Sequence, residues 1–155
     1  MILHAGDFIS DAEKLQAELG VPVIGVKGNC DGGYSSSDFR VIPVECGNIL
    51  LTHGHMENVN YQLNGLMYKA MENDCRAVVF GHTHRAMTDE SSGIRFINPG
   101  SLTQPRDGSD GSYAIIRTSE DSFDASIVYY STIMGNKKTQ QSGFLRNLMN
   151  YCDRF

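Results

Sequence analysis

Short apolar runs that end in polar turns dominate the first half of the chain. Four of them predict buried strands: Met1–Ala5, Val21–Val26, Asn48–Leu51 and Ala77–Phe80. Between the first two, the segment after Ser10 carries leucines four residues apart and stops at Gly20. This pattern predicts a helix with Ser10 as its N-cap. Strand, helix and strand in this order predict a parallel pair with a right-handed crossover.

The rest of the chain combines a second long helix with further strands. An apolar stripe at helical spacing predicts a helix from about Val59 to Asn73. Other strands are predicted at Phe39–Val44, Gly93–Ile97, Tyr113–Arg117 and Ser126–Tyr130. Gln104–Ser112 is rich in Gly, Asp and Ser and predicts a mobile loop, and the apolar residues after Gly143 predict a short helix. We find no internal boundary or repeat, so residues 1–155 are expected to form a single α/β domain.

The composition is that of an ordinary globular protein and restricts the functions to consider. Hydrophobic residues make up 41% and charged residues 20% of the 155 residues, and the net charge is -5. Because Lys and Arg form no run, we expect no dedicated surface for nucleic acid or membrane. No apolar stretch reaches the roughly 20 residues of a membrane span, and the start lacks a basic signal-peptide region. The four cysteines form no C-x-x-C pair, so reduced thiols and a cytoplasmic location are expected.

Polar side chains of one chemical kind follow four of the predicted strands. They are Asp7, Asn29, His53, His55, His82 and His84. Parallel or mixed sheets bring such strand ends to one edge, so these side chains can meet in space. In extended backbone His82 and His84 would project to the same side, although an isolated His-x-His pair equally fits two surface histidines. Imidazole, carboxylate and amide oxygen suit manganese, iron, zinc or nickel better than calcium. One carboxylate can bridge two cations about 3.5–4 Å apart.

Four motifs in this order resemble those of the calcineurin-like metallophosphoesterases. They are Gly6-Asp7, Gly28-Asn29-Cys30-Asp31, Thr52-His53-Gly54-His55 and Gly81-His82-Thr83-His84. Asn98-Pro99-Gly100-Ser101-Leu102 and the following Gln104-Pro105-Arg106 are similar to a phrase of the YfcE-type small phosphodiesterases of that family. The resemblance covers about residues 2 to 131. It implies an αββα sandwich of two mixed β-sheets flanked by helices.

The resemblance also implies a site for two divalent transition metals. Asp7 would bridge the metals, one site would be completed by Asn29, His53 and His82, and the other would use His84. A hydroxide between the metals would attack the phosphorus of a small phosphoester substrate. Manganese is the favoured metal, with zinc, iron and nickel as alternatives.

Further residues are implied at the edge of this site. Arg106 would balance charge on the phosphoryl oxygens. His55 would lie near the substrate or hydrogen-bond to a metal ligand, and the second role is favoured. Asp31 would orient backbone or a ligand, or would be a plain turn residue. Cys30 stands where many family members carry a histidine that assists catalysis, and since a neutral thiol is a poor substitute, we expect substrates with good leaving groups.

The sequence departs from the family in one larger respect. Family members begin with a strand that ends in Asp-x-His, and this motif does not occur in the chain. We therefore expect the N-terminal strand and helix of the fold to be missing and the site of Asn29, His53 and His82 to be retained. The site of His84 is expected to be weak or empty. Loss of an internal strand would expose a sheet edge through which copies of the chain could associate.

Three functions are compatible with these observations. The leading interpretation is a metal-dependent phosphoesterase, more specifically a phosphodiesterase. The alternative is a non-catalytic binding scaffold on the same fold, like the retromer subunit that shares this architecture. A metal-storage protein without enzymatic function ranks third.

Overall fold

A mixed five-stranded sheet lies at the centre of the computed structural model, which describes residues 1–32 and 37–135. In chain order, the elements are β1 (Ile2–His4), α1 (Ile9–Leu19), β2 (Val23–Gly25), β3 (Phe39–Val44), β4 (Gly47–Thr52), a 3-10 turn (His55–Glu57), α2 (Asn64–Glu72), β5 (Cys75–Phe80), β6 (Ala86–Ser91), β7 (Ile94–Pro99), β8 (Ser112–Thr118), β9 (Phe123–Tyr129) and α3 (Tyr130–Gly135). The central sheet has the strand order β3-β4-β5-β7-β6. Its inner strands β4, β5 and β7 are parallel, and the antiparallel strands β3 and β6 form the two edges.

The inner strands are buried on both faces, which explains why they appear in the sequence as continuous apolar runs. Successive side chains of β4 and β5 alternate between two apolar clusters, one on each face. One cluster holds Leu50, Val78, Phe80 and Phe96 together with Leu66 and Ala70 of α2. The other holds Ile49, Leu51, Ala77, Val79 and Ile97. The ends of these strands are therefore fixed by packing on both sides.

Two smaller sheets cover the face of the central sheet opposite α2. β1 and β2 form a parallel pair, and β8 and β9 form an antiparallel hairpin. Leu3, Ile24 and Ile116 of these sheets pack against the second apolar cluster. α1 lies so close to β2 that a Cβ atom on Gly25 would be 2.5 Å from Ile9 Cδ1. The predicted fold class, a mixed α/β fold of sheet layers flanked by helices, is confirmed.

The first helix begins two residues earlier than the sequence predicts. Phe8 occupies the N-cap position without a side-chain hydrogen bond, so Ser10 lies inside the helix and the prediction that it caps the helix is wrong. The reason is a partner distant in the chain, since the Ile9 N–H donates to Asp31 Oδ1 at 2.8 Å. The predicted stop at Gly20 is confirmed, because this residue takes a left-handed conformation with φ 65.

The second helix is shorter than predicted and is preceded by turns. It begins at Asn64 rather than near Val59, because residues 58–61 form a turn. The Tyr61 N–H donates to Asn58 O at 3.0 Å and closes a turn instead. This difference places Asn60 in a loop over the strand ends.

The strand predictions differ from the structure mainly at the edges. β6 was not predicted, since its side chains are polar and mostly exposed on the rim of the central sheet. β9 begins at Phe123, and Tyr130 belongs to α3 rather than to the strand. The helix predicted after Gly143 lies outside the described residues, as does part of the loop between Gly32 and Asp38. None of the described helices is both long enough and apolar enough to span a membrane.

Candidate metal centre

The ends of four strands carry a connected cluster of polar side chains. Asp7 follows β1, Asn29 follows β2, His53 follows β4 and His82 follows β5. β1 pairs with β2 in parallel, and so does β4 with β5. The polar residues that follow the two strands of each pair therefore lie at the same end of the sheet. Direct contacts between side chains then join the two pairs into one cluster.

His53 is the buried centre of this cluster, with 1% of its surface exposed. Its Nδ1 lies 2.7 Å from the main-chain oxygen of Ala5. A carbonyl oxygen can only accept a hydrogen bond, so Nδ1 carries the proton and Nε2 presents a lone pair. Nε2 lies 3.0 Å from Asn29 Oδ1 and 3.3 Å from Asp7 Oδ1. An imidazole lone pair thus faces two oxygen atoms.

Three glycines allow the backbone to close around His53. A Cβ atom on Gly6, which has φ +98, would lie 2.6 Å from His53 Nδ1. On Gly28 a Cβ atom would lie 2.3 Å from the Asp7 nitrogen, and on Gly81 it would lie 2.9 Å from the Ala5 oxygen. These three positions therefore need glycine because neighbouring atoms leave no room for a side chain.

His82 and His84 reach the cluster through a left-handed turn rather than from an extended strand. β5 ends at Phe80, and the two histidines have φ values of 66 and 56. The expectation that they project together from extended backbone is therefore wrong. Asn98 holds the turn, since its Nδ2 donates to Gly81 O at 2.9 Å and to Thr83 Oγ1 at 3.0 Å. Such conformations are costly for residues with a side chain and mark functional sites more often than chance.

The turn directs the two imidazoles to different atoms of the cluster. His82 Nδ1 lies 3.0 Å from Asn29 Oδ1. His84 Nε2 lies 2.6 Å from Asp7 Oδ2, and its Nδ1 lies 2.9 Å from the Gln104 oxygen. The Asp7 carboxylate therefore lies between two histidines, with Oδ1 toward His53 and Oδ2 toward His84.

The electrostatic surroundings keep Asp7 ionised and favour the neutral forms of His82 and His55. Burial alone would raise the pKa of Asp7, but the adjacent imidazoles of His53 and His84 outweigh it and hold that pKa well below its ordinary value. Burial, followed by the neighbouring His53, lowers the pKa values of both His82 and His55. An ionised carboxylate and neutral imidazoles are the protonation states that bind metal ions.

Cys30 and Arg106 lie at the exposed side of the cluster. Cys30 Sγ lies 3.6 Å from Asp7 Oδ1. Burial and the Asp7 charge raise the pKa of this thiol, while Arg106 acts in the opposite direction. The thiol is therefore neutral at pH 7. The Arg106 main-chain N–H donates to His84 O at 2.9 Å, which fixes the start of the Arg106 side chain near the site.

The Asp31 carboxylate accepts hydrogen bonds from main-chain N–H groups rather than contacting the imidazoles. Its Oδ1 accepts from the Ile9 N–H and its Oδ2 accepts from the Gly28 N–H, both at 2.8 Å. The sequence left three roles open for Asp31: orienting backbone, orienting a ligand, or serving as a plain turn residue. These two hydrogen bonds fit the first of them. The two bonds connect the start of α1 to the loop that carries Asn29.

His55 lies beside the cluster, at the wall of an open cleft. Its ring centroid is 5.3 Å from that of His53 and 6.2 Å from that of His82. Its Nδ1 is buried and, among the described residues, has no hydrogen-bond partner. The cleft has a volume of about 480 Å³ and is lined by Lys27, Gly28, Asn29, Asp31, Gly32, Asp38, His55 and Met56. It offers space for a small ligand next to Asn29.

Two contact residues of the cluster were missed by sequence reasoning. Asn60 Nδ2 lies 3.0 Å from His82 Nε2, but Asn60 falls in a segment that the apolar stripe assigned to a helix. The Gln104 carbonyl holds His84, and main-chain atoms leave no signal in a sequence.

The spacing of the donor atoms fits a cation. Two ligands of one zinc ion at 2.0–2.1 Å lie about 3.0–3.4 Å apart, and His53, His82 and Asp7 Oδ1 show contacts of 3.0 to 3.3 Å. Within the described ranges, no group of three or more His, Cys, Asp or Glu side chains has metal-site spacing by itself. Both His53 and His82 approach the amide oxygen of Asn29. The proposed group of metal ligands therefore needs this oxygen. The donor chemistry, two imidazoles with an amide and a carboxylate oxygen, suits a transition metal.

Comparison with known proteins identifies a family and several relatives by sequence. A family model described as the calcineurin-like phosphoesterase superfamily domain matches residues 1–121. The chain is 34% identical over 130 residues to the probable metallophosphoesterase YsnB of Bacillus subtilis (strain 168), covering 84% of this chain and 74% of that protein. It is 32% identical over 116 residues to the phosphodiesterase YfcE of Escherichia coli (strain K12), covering 68% of this chain and 57% of YfcE. The resemblance found in the sequence motifs is confirmed.

Solved structures show the same fold. A Streptococcus pneumoniae TIGR4 protein described as a predicted phosphoesterase has a TM-score of 0.70 at 27% identity, covering 82% of this chain and 72% of that one. Vps29 of Entamoeba histolytica, complexed with zinc, has a TM-score of 0.66 at 23% identity, covering 82% and 80%. At that identity the likeness to Vps29 shows the fold alone.

Proposed function

Because the chain belongs to the calcineurin-like phosphoesterase superfamily, we propose that it is a metal-dependent phosphodiesterase. The observation that carries the proposal is the convergence of His53 Nε2 and His82 Nδ1 on Asn29 Oδ1, each at 3.0 Å. The lone pair on His53 Nε2 faces the Asn29 oxygen, and the two repel unless a cation or proton lies between them. The similarity to YfcE, named a phosphodiesterase, supports a diester substrate.

The same residues would form two cation-binding sites. Asn29, His53, His82 and Asp7 Oδ1 would hold one divalent cation, and Asp7 Oδ2 with His84 would contribute to a second. When bound, such cations supply Lewis acidity at the phosphoryl oxygens and lower the pKa of a water molecule. We propose that the first position binds more tightly, because four donors of the described residues converge on it. Manganese is the metal proposed, with zinc, iron or nickel as substitutes.

Other residues of the chain act on the substrate rather than on the metals. Arg106 carries a permanent positive charge and is proposed to balance charge on the phosphoryl oxygens. The cleft beside Asn29 and His55 is proposed to receive one ester group of a small phosphodiester. Cys30 stays protonated and adjacent to Asp7, so it supplies neither a nucleophilic thiolate nor a strong acid.

Hydrolysis of bis-p-nitrophenyl phosphate with added manganese tests the proposal. We expect turnover by the wild type and a loss on the order of 100-fold or more in His82→Ala and Asn29→Ala, since each removes a donor atom. Tyr61→Phe serves as the control, because Tyr61 is 90% exposed and its hydroxyl makes no described contact with the cluster. Activity that His82→Ala and Asn29→Ala leave unchanged would overturn the assignment of the site.

The scaffold alternative receives no support beyond the shared fold. The likeness to Vps29 is at 23% identity, and the described residues keep imidazoles, amide and carboxylate in contact. Manganese binding without turnover of any aryl phosphodiester would favour a scaffold. A cytoplasmic location and self-association through a sheet edge stay predictions of the sequence.

A further inference from the structure

Each of the three imidazoles in the cluster has a partner at the nitrogen that faces away from the other donors. For His53 and His84 that partner is a main-chain carbonyl, of Ala5 at 2.7 Å and of Gln104 at 2.9 Å. Since carbonyl oxygens only accept, both rings carry the outer proton and present a lone pair inward. These two tautomers are therefore fixed by the fold.

His82 differs because its outer partner is a side-chain amide. Asn60 Nδ2 lies 3.0 Å from His82 Nε2 in the placed orientation of the amide, while His82 Nδ1 faces Asn29 Oδ1. An amide has both an acceptor and two donors, and a rotation of its end group exchanges them. If Asn60 Nδ2 donates to Nε2, the His82 proton sits on Nδ1 and closes that atom to a cation. If Asn60 Oδ1 accepts from Nε2–H, Nδ1 presents its lone pair.

We propose that Asn60 is a positioning residue that accepts the His82 Nε2–H through its Oδ1 and so opens His82 Nδ1 to a divalent cation. The inference rests on the proposed function, in which His82 is a metal ligand. Histidine ligands of metals donate their other N–H to an acceptor, which fixes the ring and raises its basicity. Asn60 would fill for His82 the place that Ala5 and Gln104 fill for the other two rings.

The loop that carries Asn60 holds it over His82. Val59 is buried, and its N–H donates to Gly54 O at 3.5 Å. The Tyr61 N–H donates to Asn58 O at 3.0 Å, so the backbone on both sides of Asn60 is closed into turns. The Asn60 side chain itself is exposed. Its replacement therefore changes the contact to His82 without opening a cavity.

The test compares Asn60→Leu with Asn60→Asp in titrations of the whole chain with manganese and with cobalt(II). Leucine removes the acceptor at similar size, and aspartate can only accept. We expect Asn60→Leu to weaken metal affinity by about 10- to 100-fold. Asn60→Asp is expected to bind at least as tightly as the wild type and to keep the cobalt(II) absorption spectrum. Tyr61→Phe should match the wild type.

The outcomes separate this inference from the proposed function. If His82→Ala loses affinity and Asn60→Leu does not, the role of Asn60 is refuted and the metal site stands. If Asn60→Asp binds as weakly as Asn60→Leu, the acceptor role is overturned. If His82→Ala also binds like the wild type, the proposed site itself fails. Since Asn60→Asp differs from the wild type by a few atoms on the surface, it keeps the test decisive even if the leucine variant folds poorly.

Discussion

The main-chain oxygen of Ala5 lies 2.7 Å from His53 Nδ1, although 48 residues separate the two along the chain. This contact joins the β1–β2 layer to the central sheet at the candidate metal centre. Because His53 is 1% exposed, its ring cannot turn into solvent, and the backbone after β1 determines which nitrogen faces Asn29. The arrangement of the ligands thus depends on how closely the surrounding backbone segments approach one another.

Substitution of Gly28 tests this dependence on close packing. A Cβ atom there would lie 2.3 Å from the Asp7 nitrogen and 3.0 Å from His53 Nε2. We expect Gly28→Ala to lower the free energy of unfolding by about 1–3 kcal/mol, because main-chain atoms must move. Metal affinity should fall as well, since Asp7 and His53 would separate. Urea unfolding and manganese titration measure the two effects.

Gly32→Ala is the matched control for this experiment. Gly32 lies in the same loop after β2, and a Cβ atom there would meet no atom of the described residues within 4 Å. We expect Gly32→Ala to change stability by less than about 0.5 kcal/mol and to leave metal affinity as it is. If the two substitutions lowered stability and metal affinity equally, the effect would come from replacing any glycine of this loop. The close contact between Gly28 and Asp7 would then not be its cause.

Asp31 provides a second prediction, because its carboxylate holds two loops together. It accepts from the Ile9 and Gly28 N–H groups, both at 2.8 Å. Asp31→Ala leaves both donors without this partner, so we expect a loss of about 2 kcal/mol or more in the free energy of unfolding. Within the described part of the chain, Asp38→Ala breaks a surface ion pair with Lys27 and should cost less than about 1 kcal/mol. Equal losses in the two variants would contradict the structural role of Asp31.

The sequence predicted the central strands well because their pattern has a simple physical cause. Residues such as Val78 and Leu50 are buried on a sheet covered on both faces, so apolar runs and polar ends mark the strands directly. The polar edge strand Ala86–Ser91 has no such pattern and was missed. The segment from Val59 was taken as helix because apolar periodicity continues into it, whereas residues 58–61 form a turn closed by the Tyr61 N–H and Asn58 O.

At the candidate site the motifs identified residue types but not the contacts that orient them. The spacing of His82 and His84 placed them on one side of an extended strand, and only the family resemblance assigned them to different metals; the structure directs one to Asn29 and the other to Asp7. That division arises from the positive φ values of both histidines, which residue preferences do not predict. The acceptors for His53 and His84 are main-chain oxygens, so their positions follow from the tertiary fold alone.

A pH-dependent effect is expected at Asp107, which holds the loop behind His84. Hydrogen bonds from Ser109 and from the Ala86 N–H lower the pKa of Asp107 to about 2. Since the folded-state pKa lies below the unfolded value of about 3.9, the ionised group stabilises the fold above about pH 4, and this contribution is lost as pH falls toward 2. Asp107→Asn should therefore be less stable than the wild type at pH 6, and the difference should shrink between pH 4 and 2. Urea unfolding at each pH measures it, and a difference that stays constant with pH would contradict the prediction.

The neutral thiol of Cys30 leads to a prediction about the leaving group. Its Sγ lies 3.6 Å from Asp7 Oδ1, and burial together with the Asp7 charge raises the pKa of the thiol. Cys30 therefore gives little help to a departing alkoxide, and we expect the rate to fall steeply as the leaving-group pKa rises across a series of aryl phosphodiesters. Cys30→Ala should change the rates by no more than about threefold. Cys30→His places a group that titrates near neutral pH at this position, and it should raise the rate for the poorest leaving groups by about tenfold or more. Rates that do not depend on the leaving group would show that another group already protonates it, and a large loss in Cys30→Ala would show that Cys30 itself assists the reaction.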